Sequence, residues 1–165
     1  MNRLHLLIDR LKTARMWTKD LLRHTDEARW FEMPAAGVGH IAWQVGHLAV
    51  SQVALIPVRC LDLPFTDFVS DELRRQFGRG STPTPDPRAH PSLPELGALF
   101  DEMQHRCIEM VSGLTEAELD QPTAGEPHPL FSTRAGAIGT AVMHETFHGG
   151  QIALIRRLFG LAPLR

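Results

Sequence analysis

Apolar residues recur at intervals of three and four in four long segments, and no other feature constrains the fold as strongly. That spacing places apolar side chains along one face of an α-helix, which must then pack against a partner. With 165 residues and a hydrophobic content of 43%, the chain is long enough to bury one full core. We therefore expect a single domain over residues 1–165. The four predicted helices span residues 2–24, 38–61, 92–113 and 134–159.

The connection between the second and third predicted helices, residues 62–91, is too long for a tight turn. Residues 70–77 have the composition of a short helix, whereas residues 78–91 are rich in Gly and Pro and cannot form regular structure. No segment shows a convincing strand pattern. The predicted fold is therefore all-α, a four-helix bundle with a long crossover between helices 2 and 3. Such bundles build metal sites between facing helices.

Charge and composition argue against several partners and locations. The net charge is −2 without a basic stripe, which argues against nucleic acid. No run of 18 apolar residues occurs, and the N-terminal segment is charged, so neither a membrane span nor a secretion signal is expected. Cys60 and Cys107 lie in apolar helical stretches, and we expect both to be buried, reduced thiols. These features predict a cytoplasmic protein.

Two histidines four residues apart, His144 and His148, stand in the last predicted helix. This spacing places both imidazoles on one helix face, where they form half of a metal site. The alternative is a pair of core histidines bonded to the backbone or to each other, because a buried polar group without a partner costs about 1–3 kcal/mol. A third histidine on another core-facing helix would favour a divalent metal ion over that alternative.

The same segment reads His-Glu-x-x-His, which is also a metalloprotease signature with the glutamate as general base. Gln151 and Leu154 stand where the metzincin pattern requires Gly and His. After His148 the chain contains no further His, Asp, Glu or Cys. A third ligand must therefore come from upstream, and the protease interpretation is disfavoured.

His47 is the strongest candidate for the third ligand, because it lies in the apolar stretch IAWQVGHLAV of the second predicted helix. His40 lies about 10 Å from it along the helix axis, so the two cannot bind one ion together. His40 stands at the helix start, where capping is usual, and His128 is a loop residue that could approach the site mouth. The remaining histidines are expected at the surface: His5, His24, His90 and His105.

Two segments carry a resemblance to a known family. The second predicted helix contains Trp43 and His47 as Trp-x-x-x-His. The fourth contains His144, His148 and Gln151 as His-x-x-x-His-x-x-Gln. In the order, spacing and length of its helices, nearly the whole chain resembles the DinB-like superfamily. These are damage-inducible-protein-like bundles related to bacterial thiol-dependent S-transferases.

The resemblance implies a four-helix bundle with a three-histidine site at His47, His144 and His148. It implies zinc or nickel as the metal, a site open to water on one side, and often a homodimer. Activities in the family include transfer and isomerisation that depend on glutathione, mycothiol or bacillithiol, which makes a low-molecular-weight thiol the implied co-substrate. Apolar residues outside the four stripes are expected to supply the dimer face: Val50, Val53 and Phe159.

A divalent ion held by three neutral histidines acidifies a bound water or thiol. The chain is therefore interpreted as a metal-dependent hydrolase or thiol S-transferase that acts on a small-molecule substrate. Neither cysteine lies near the motifs, so a transferase would need a diffusible thiol. Glu145 is the predicted catalytic general base, with simple packing or solvation as the alternative, and Gln44 and Gln151 are candidates to orient a ligand. The alternative function is a non-catalytic metal-binding bundle with a structural or stress-related interaction role.

Overall fold

The computed structural model describes residues 2–164, and this part of the chain contains helices but no strand. The all-α prediction is confirmed, whereas the count differs because five helices of seven or more residues are present. The additional helix lies in the predicted crossover, where the composition of residues 70–77 is helical. The helices are α1 (Arg3–Arg23), α2 (Ile41–Val53), α3 (Asp71–Phe77), α4 (Leu93–Ser112) and α5 (Arg134–Leu158). Single 3₁₀ turns cover Glu27–Arg29, Phe65–Asp67, Pro87–Ala89 and Glu118–Asp120.

Side chains of Ser and Thr cap the N-termini of the two long C-terminal helices. Ser92 and Glu95 form a capping box at the start of α4, in which each side chain accepts from the other residue's backbone N–H. The side chain of Thr133 accepts from the backbone N–H of Gly136 at the start of α5. These caps satisfy backbone donors that the first helical turn leaves without partners.

The chain continues past α2 through a π-helical turn, Ala54–Val58, and a last α-helical turn, Arg59–Leu61. Pro57 lies in the π turn. Proline has no backbone N–H, so it would leave one α-helical hydrogen bond unmade, and the π turn accommodates that gap. The helix therefore widens locally at Pro57. By length and composition alone the run Ile41–Leu61 could cross a membrane, but 72% of its apolar window is buried inside the protein.

Helix α1 packs mainly against α5, and α2 packs against both α4 and α5. Val50 and Val53 of α2 are 2% and 0% exposed, and Phe159 packs at the edge of the same cluster. The expectation that these residues remain outside the core as a dimer face is therefore wrong. Neighbouring helices enclose α2 on more than one side, so residues beyond its apolar stripe are also buried.

The short helix α3 approaches α2 closely because α2 has a glycine at the contact. A Cβ atom at Gly46 would lie 2.5 Å from Cδ1 of Phe77, so a side chain there would collide with the ring. Phe77 is fully buried in the core cluster around α2 and α4. This contact brings the C-terminal end of α3 next to His47, the residue that follows Gly46.

Candidate metal centre

Three histidines from two helices converge in the structure. His47 lies on α2, and His144 and His148 lie one turn apart on α5. Their ligating nitrogen atoms all lie within 4.8 Å of one another. The Nε2 atoms of His47 and His144 are 3.3 Å apart, and the ring centroids of His144 and His148 are 4.5 Å apart. The structure therefore brings together the three residues proposed as ligands from sequence.

Two of the three rings are held by a hydrogen bond on the nitrogen that faces away from the group. His47 Nδ1 donates to the backbone carbonyl of Phe77 at 2.6 Å, and His148 Nδ1 donates to Gln44 Oε1 at 2.5 Å. Each bond selects the tautomer in which Nε2 keeps its lone pair for a ligand bond. Two glutamines were proposed to orient a ligand. Gln44 contacts His148 in this way, whereas Gln151 is exposed.

The donor set and the separation of one pair of nitrogens both fit a divalent metal ion. Tetrahedral zinc with Zn–N bonds of about 2.0–2.1 Å holds two nitrogens about 3.3 Å apart. The distance between His47 Nε2 and His144 Nε2 is 3.3 Å. Within residues 2–164, no Cys, Asp, Glu or further His joins the group. Three protein ligands with an open fourth position are the arrangement of catalytic rather than structural zinc sites.

Burial keeps these imidazoles neutral. Burial and the neighbouring His47 lower the pKa of His144 to about 4. Burial, followed by the proximity of His144 and His47, lowers the pKa of His148 to about 3. Burial also lowers the pKa of His47, partly opposed by its bond to the Phe77 carbonyl. Because the neutral ring is the metal-binding form, protons compete weakly for this site near pH 7.

Two further side chains touch His47. The indole of Trp43 stacks on the His47 ring with centroids 4.6 Å apart and planes 12° from parallel. Ser51 Oγ lies 3.3 Å from His47 Nε2, the nitrogen that points into the group. Ser51 was missed in the sequence, although it stands one turn after His47 and the i,i+4 rule applied to His144 and His148 would have found it.

Glu145, the predicted catalytic base, is engaged by a buried arginine. Its oxygens accept from Arg15 Nε at 2.6 Å and Nη2 at 3.1 Å, and both residues are 4% exposed. Arg15 also donates to the Phe100 carbonyl and to Gln52 Oε1. The ion pair links α5 to α1. A general-base role would require this pair to open, so the catalytic assignment stays a prediction.

The other candidate histidines lie outside the group. His40 caps α2, accepting from the backbone N–H of Trp43 through Nδ1, and donates from Nε2 to the Thr84 carbonyl at 2.9 Å. His90, expected at the surface, is half-buried and donates to the same carbonyl at 2.9 Å. His128 is half-buried and stacks on Phe131.

Comparison with known proteins places the chain in a family. The sequence profile of the DinB superfamily matches residues 10–152. A crystal structure of a conserved protein from Enterococcus faecalis superposes with a TM-score of 0.72 at 18% identity, covering 96% of this chain and 97% of that one. At this identity the likeness concerns the fold alone. No functionally curated protein matches the chain.

Proposed function

The chain belongs to the DinB superfamily, and from its three-histidine group we propose that it is a divalent-metal-dependent enzyme that acts on a small-molecule substrate. The observation that carries the proposal is the convergence of three neutral imidazoles without a fourth protein ligand among residues 2–164. We also propose that the four long helices form the four-helix bundle typical of such sites, with α3 in its crossover.

We propose zinc or nickel as the metal. Imidazole nitrogen suits both ions, and the 3.3 Å separation of two donor atoms matches the spacing around zinc. A divalent ion in this site would supply positive charge that lowers the pKa of a water or thiol bound to it. His47, His144 and His148 would hold the ion, with Phe77 and Gln44 orienting two of the rings.

The two internal thiols are unsuited to act as the nucleophile. Burial raises the pKa of both Cys60 and Cys107 to about 12, so neither forms a thiolate near neutral pH. The reacting nucleophile would therefore be water, giving a hydrolase, or a diffusible low-molecular-weight thiol, giving an S-transferase. In the transfer reaction the thiol sulfur forms a bond to an electrophilic carbon, the leaving group departs with the bonding electrons, and the thiol proton passes to solvent. Two reduced, buried cysteines also support a cytoplasmic location.

Metal removal tests the proposed function. Purified protein would be analysed for metal, treated with a chelator, and assayed before and after by circular dichroism and for turnover. One assay would pair glutathione, mycothiol or bacillithiol with a halogenated electrophile, and the other would use activated esters with water as nucleophile. We expect activity to disappear and return with added metal while helicity is unchanged. Loss of helicity on chelation would instead support the non-catalytic, structural role, since structural metals contribute folding energy directly.

A further inference from the structure

A cavity of about 500 Å³ opens beside α3 and the turn that follows it. It is an open surface cavity, because all of its lining residues except Ser81 are exposed. Arginines dominate its lining, in a segment where the chain carries three of them within six residues. The residues that line it are Asp71, Arg74, Arg75, Arg79, Gly80 and Ser81.

The three arginines lack carboxylate partners. Seven of the fourteen arginines within residues 2–164 are ion-paired, as Arg15 is with Glu145, but no Asp or Glu oxygen in this part of the chain lies within 4 Å of Arg74, Arg75 or Arg79. Arg74 is placed by stacking on Phe65, with its guanidinium 4.9 Å from the ring centroid.

Asp71 is the one acidic residue in the lining, so the cavity keeps an excess of positive charge. The chain as a whole carries a net charge of −2, which makes this positive field a local feature.

The cavity adjoins the three-histidine group through two contacts. Ser81, in the cavity lining, accepts a hydrogen bond from Trp43 Nε1 at 3.0 Å, and the Trp43 indole stacks on His47. Phe77, which lies between Arg75 and Arg79 in the chain, provides the carbonyl that holds His47 Nδ1. Phe77 and Trp43 therefore lie between the cavity and His47, and no histidine lines the cavity.

We propose that this cavity binds the carboxylate or phosphate group of a small-molecule anion. The guanidinium fork matches both oxyanions and forms paired charge-assisted hydrogen bonds to them. The anion site rests on the cavity and its charges and is independent of the proposed enzymatic function. Nucleic acid is a poorer fit, because the positive patch is confined to one short segment and does not extend into a stripe.

The test uses chelator-treated full-length protein, so that its result does not depend on metal or turnover. Inorganic phosphate and citrate would be titrated separately while proton–nitrogen correlation NMR follows the indole N–H of Trp43 and the side-chain N–H groups of the arginines. We expect saturable shifts with a Kd of about 1 mM or tighter. The double variant Arg75→Ala/Arg79→Ala should bind both anions about tenfold more weakly.

The control variant Arg23→Ala/Arg88→Ala removes the same charge from two exposed arginines that are paired with Asp20 and Asp86. It should bind as the wild type does. The proposal is overturned if the wild type shows no saturable shift, if the two double variants weaken binding equally, or if a short single-stranded oligonucleotide binds far more tightly than phosphate and citrate. Phosphate binding together with absent metal binding would retain the anion site and reject the proposed metalloenzyme.

Discussion

His47 Nε2 and His144 Nε2 lie 3.3 Å apart although the residues are 97 positions apart in the chain. Two neutral acceptor nitrogens at this distance repel unless a proton or a metal ion lies between them. The Phe77 carbonyl binds Nδ1 of His47 and thereby leaves the lone pair of Nε2 directed at His144. The packing of α3 on Gly46 therefore positions the Phe77 carbonyl, which orients the His47 ring with no metal present.

The first prediction concerns His47→Ala. We expect the variant to fold, with a loss of about 1 kcal/mol for the missing bond to the Phe77 carbonyl. Its affinity for zinc or nickel should fall by more than about 100-fold, since orienting partners alone account for 10–100-fold. Metal content after dialysis and circular dichroism would measure the two effects. His128→Ala, which removes an imidazole outside the group, is the control, and a full equivalent of metal in His47→Ala would show that another residue is the third ligand.

A second prediction compares the effects of Gln44 and Gln151 on metal affinity. Gln44→Ala removes the acceptor of His148 Nδ1, so we expect metal affinity to fall about 10–100-fold with all three ligands still present. Gln151→Ala removes an exposed amide and should leave the affinity unchanged. Competition with a metallochromic chelator would measure both dissociation constants. Equal affinities for the two variants would contradict an orienting role for Gln44.

The helices and the convergence of three histidines could be predicted because both rest largely on local periodicity. Apolar residues three and four apart define a helix face, and His144 and His148 share a face whatever the rest of the chain does. His47 could be identified from the sequence because its apolar neighbours indicate a core position. The short helix Asp71–Phe77 was visible in composition, but nothing local showed that it packs on α2 and adds to the helix count.

Contacts made by tertiary packing could not be read from the sequence. Phe77 acts on His47 through its backbone carbonyl, a group that every residue has. Arg15 and Glu145 are 130 positions apart, so their pairing depends on how α1 meets α5. The Pro-rich composition around His90 suggested solvent, yet the loop folds back and directs His90 onto the Thr84 carbonyl.

The third prediction tests the buried ion pair. Glu145→Gln leaves the guanidinium of Arg15 without a carboxylate in a site where both residues are 4% exposed, so we expect the free energy of unfolding to fall by about 3 kcal/mol. Asp101→Asn breaks the exposed pair with Lys19 and should cost less than about 1 kcal/mol. Urea unfolding would compare the two variants, and equal stabilities would contradict a structural role for the pair. If Glu145 is also the general base, turnover of the folded fraction should fall about 10²–10⁴-fold at unchanged metal content.

A fourth prediction concerns acid sensitivity. Burial lowers the pKa of His40 from 6.5 to about 4, so between these pH values the unfolded chain binds more protons at this residue than the folded one. Its contribution to stability is therefore fully present above pH 6.5 and is lost as the pH falls towards 4. His40→Asn keeps a capping side chain for Trp43 without a titrating ring.

We expect chelator-treated wild type to lose about 2 kcal/mol more than His40→Asn between pH 7 and pH 5. His144 and His148 titrate in both proteins, so the difference isolates His40. Urea unfolding at the two pH values gives the measurement. Parallel losses in the two proteins would mean that His40 has no lowered pKa in the folded state.

The last prediction is a homodimer, now placed on a different surface. Four large apolar side chains are exposed along one side of α5: Met143 at 42%, Phe147 at 65%, Leu154 at 48% and Leu158 at 49%. Extended exposed apolar patches mark interaction sites in soluble proteins. Sedimentation at micromolar concentration should give twice the chain mass of 18.4 kDa. Phe147→Asp should fold and sediment as a monomer, whereas Leu130→Asp, at a loop residue that is 64% exposed, should remain dimeric. A wild-type particle of 18.4 kDa would exclude the dimer, and a dimeric Phe147→Asp would exclude this face of α5 as its interface.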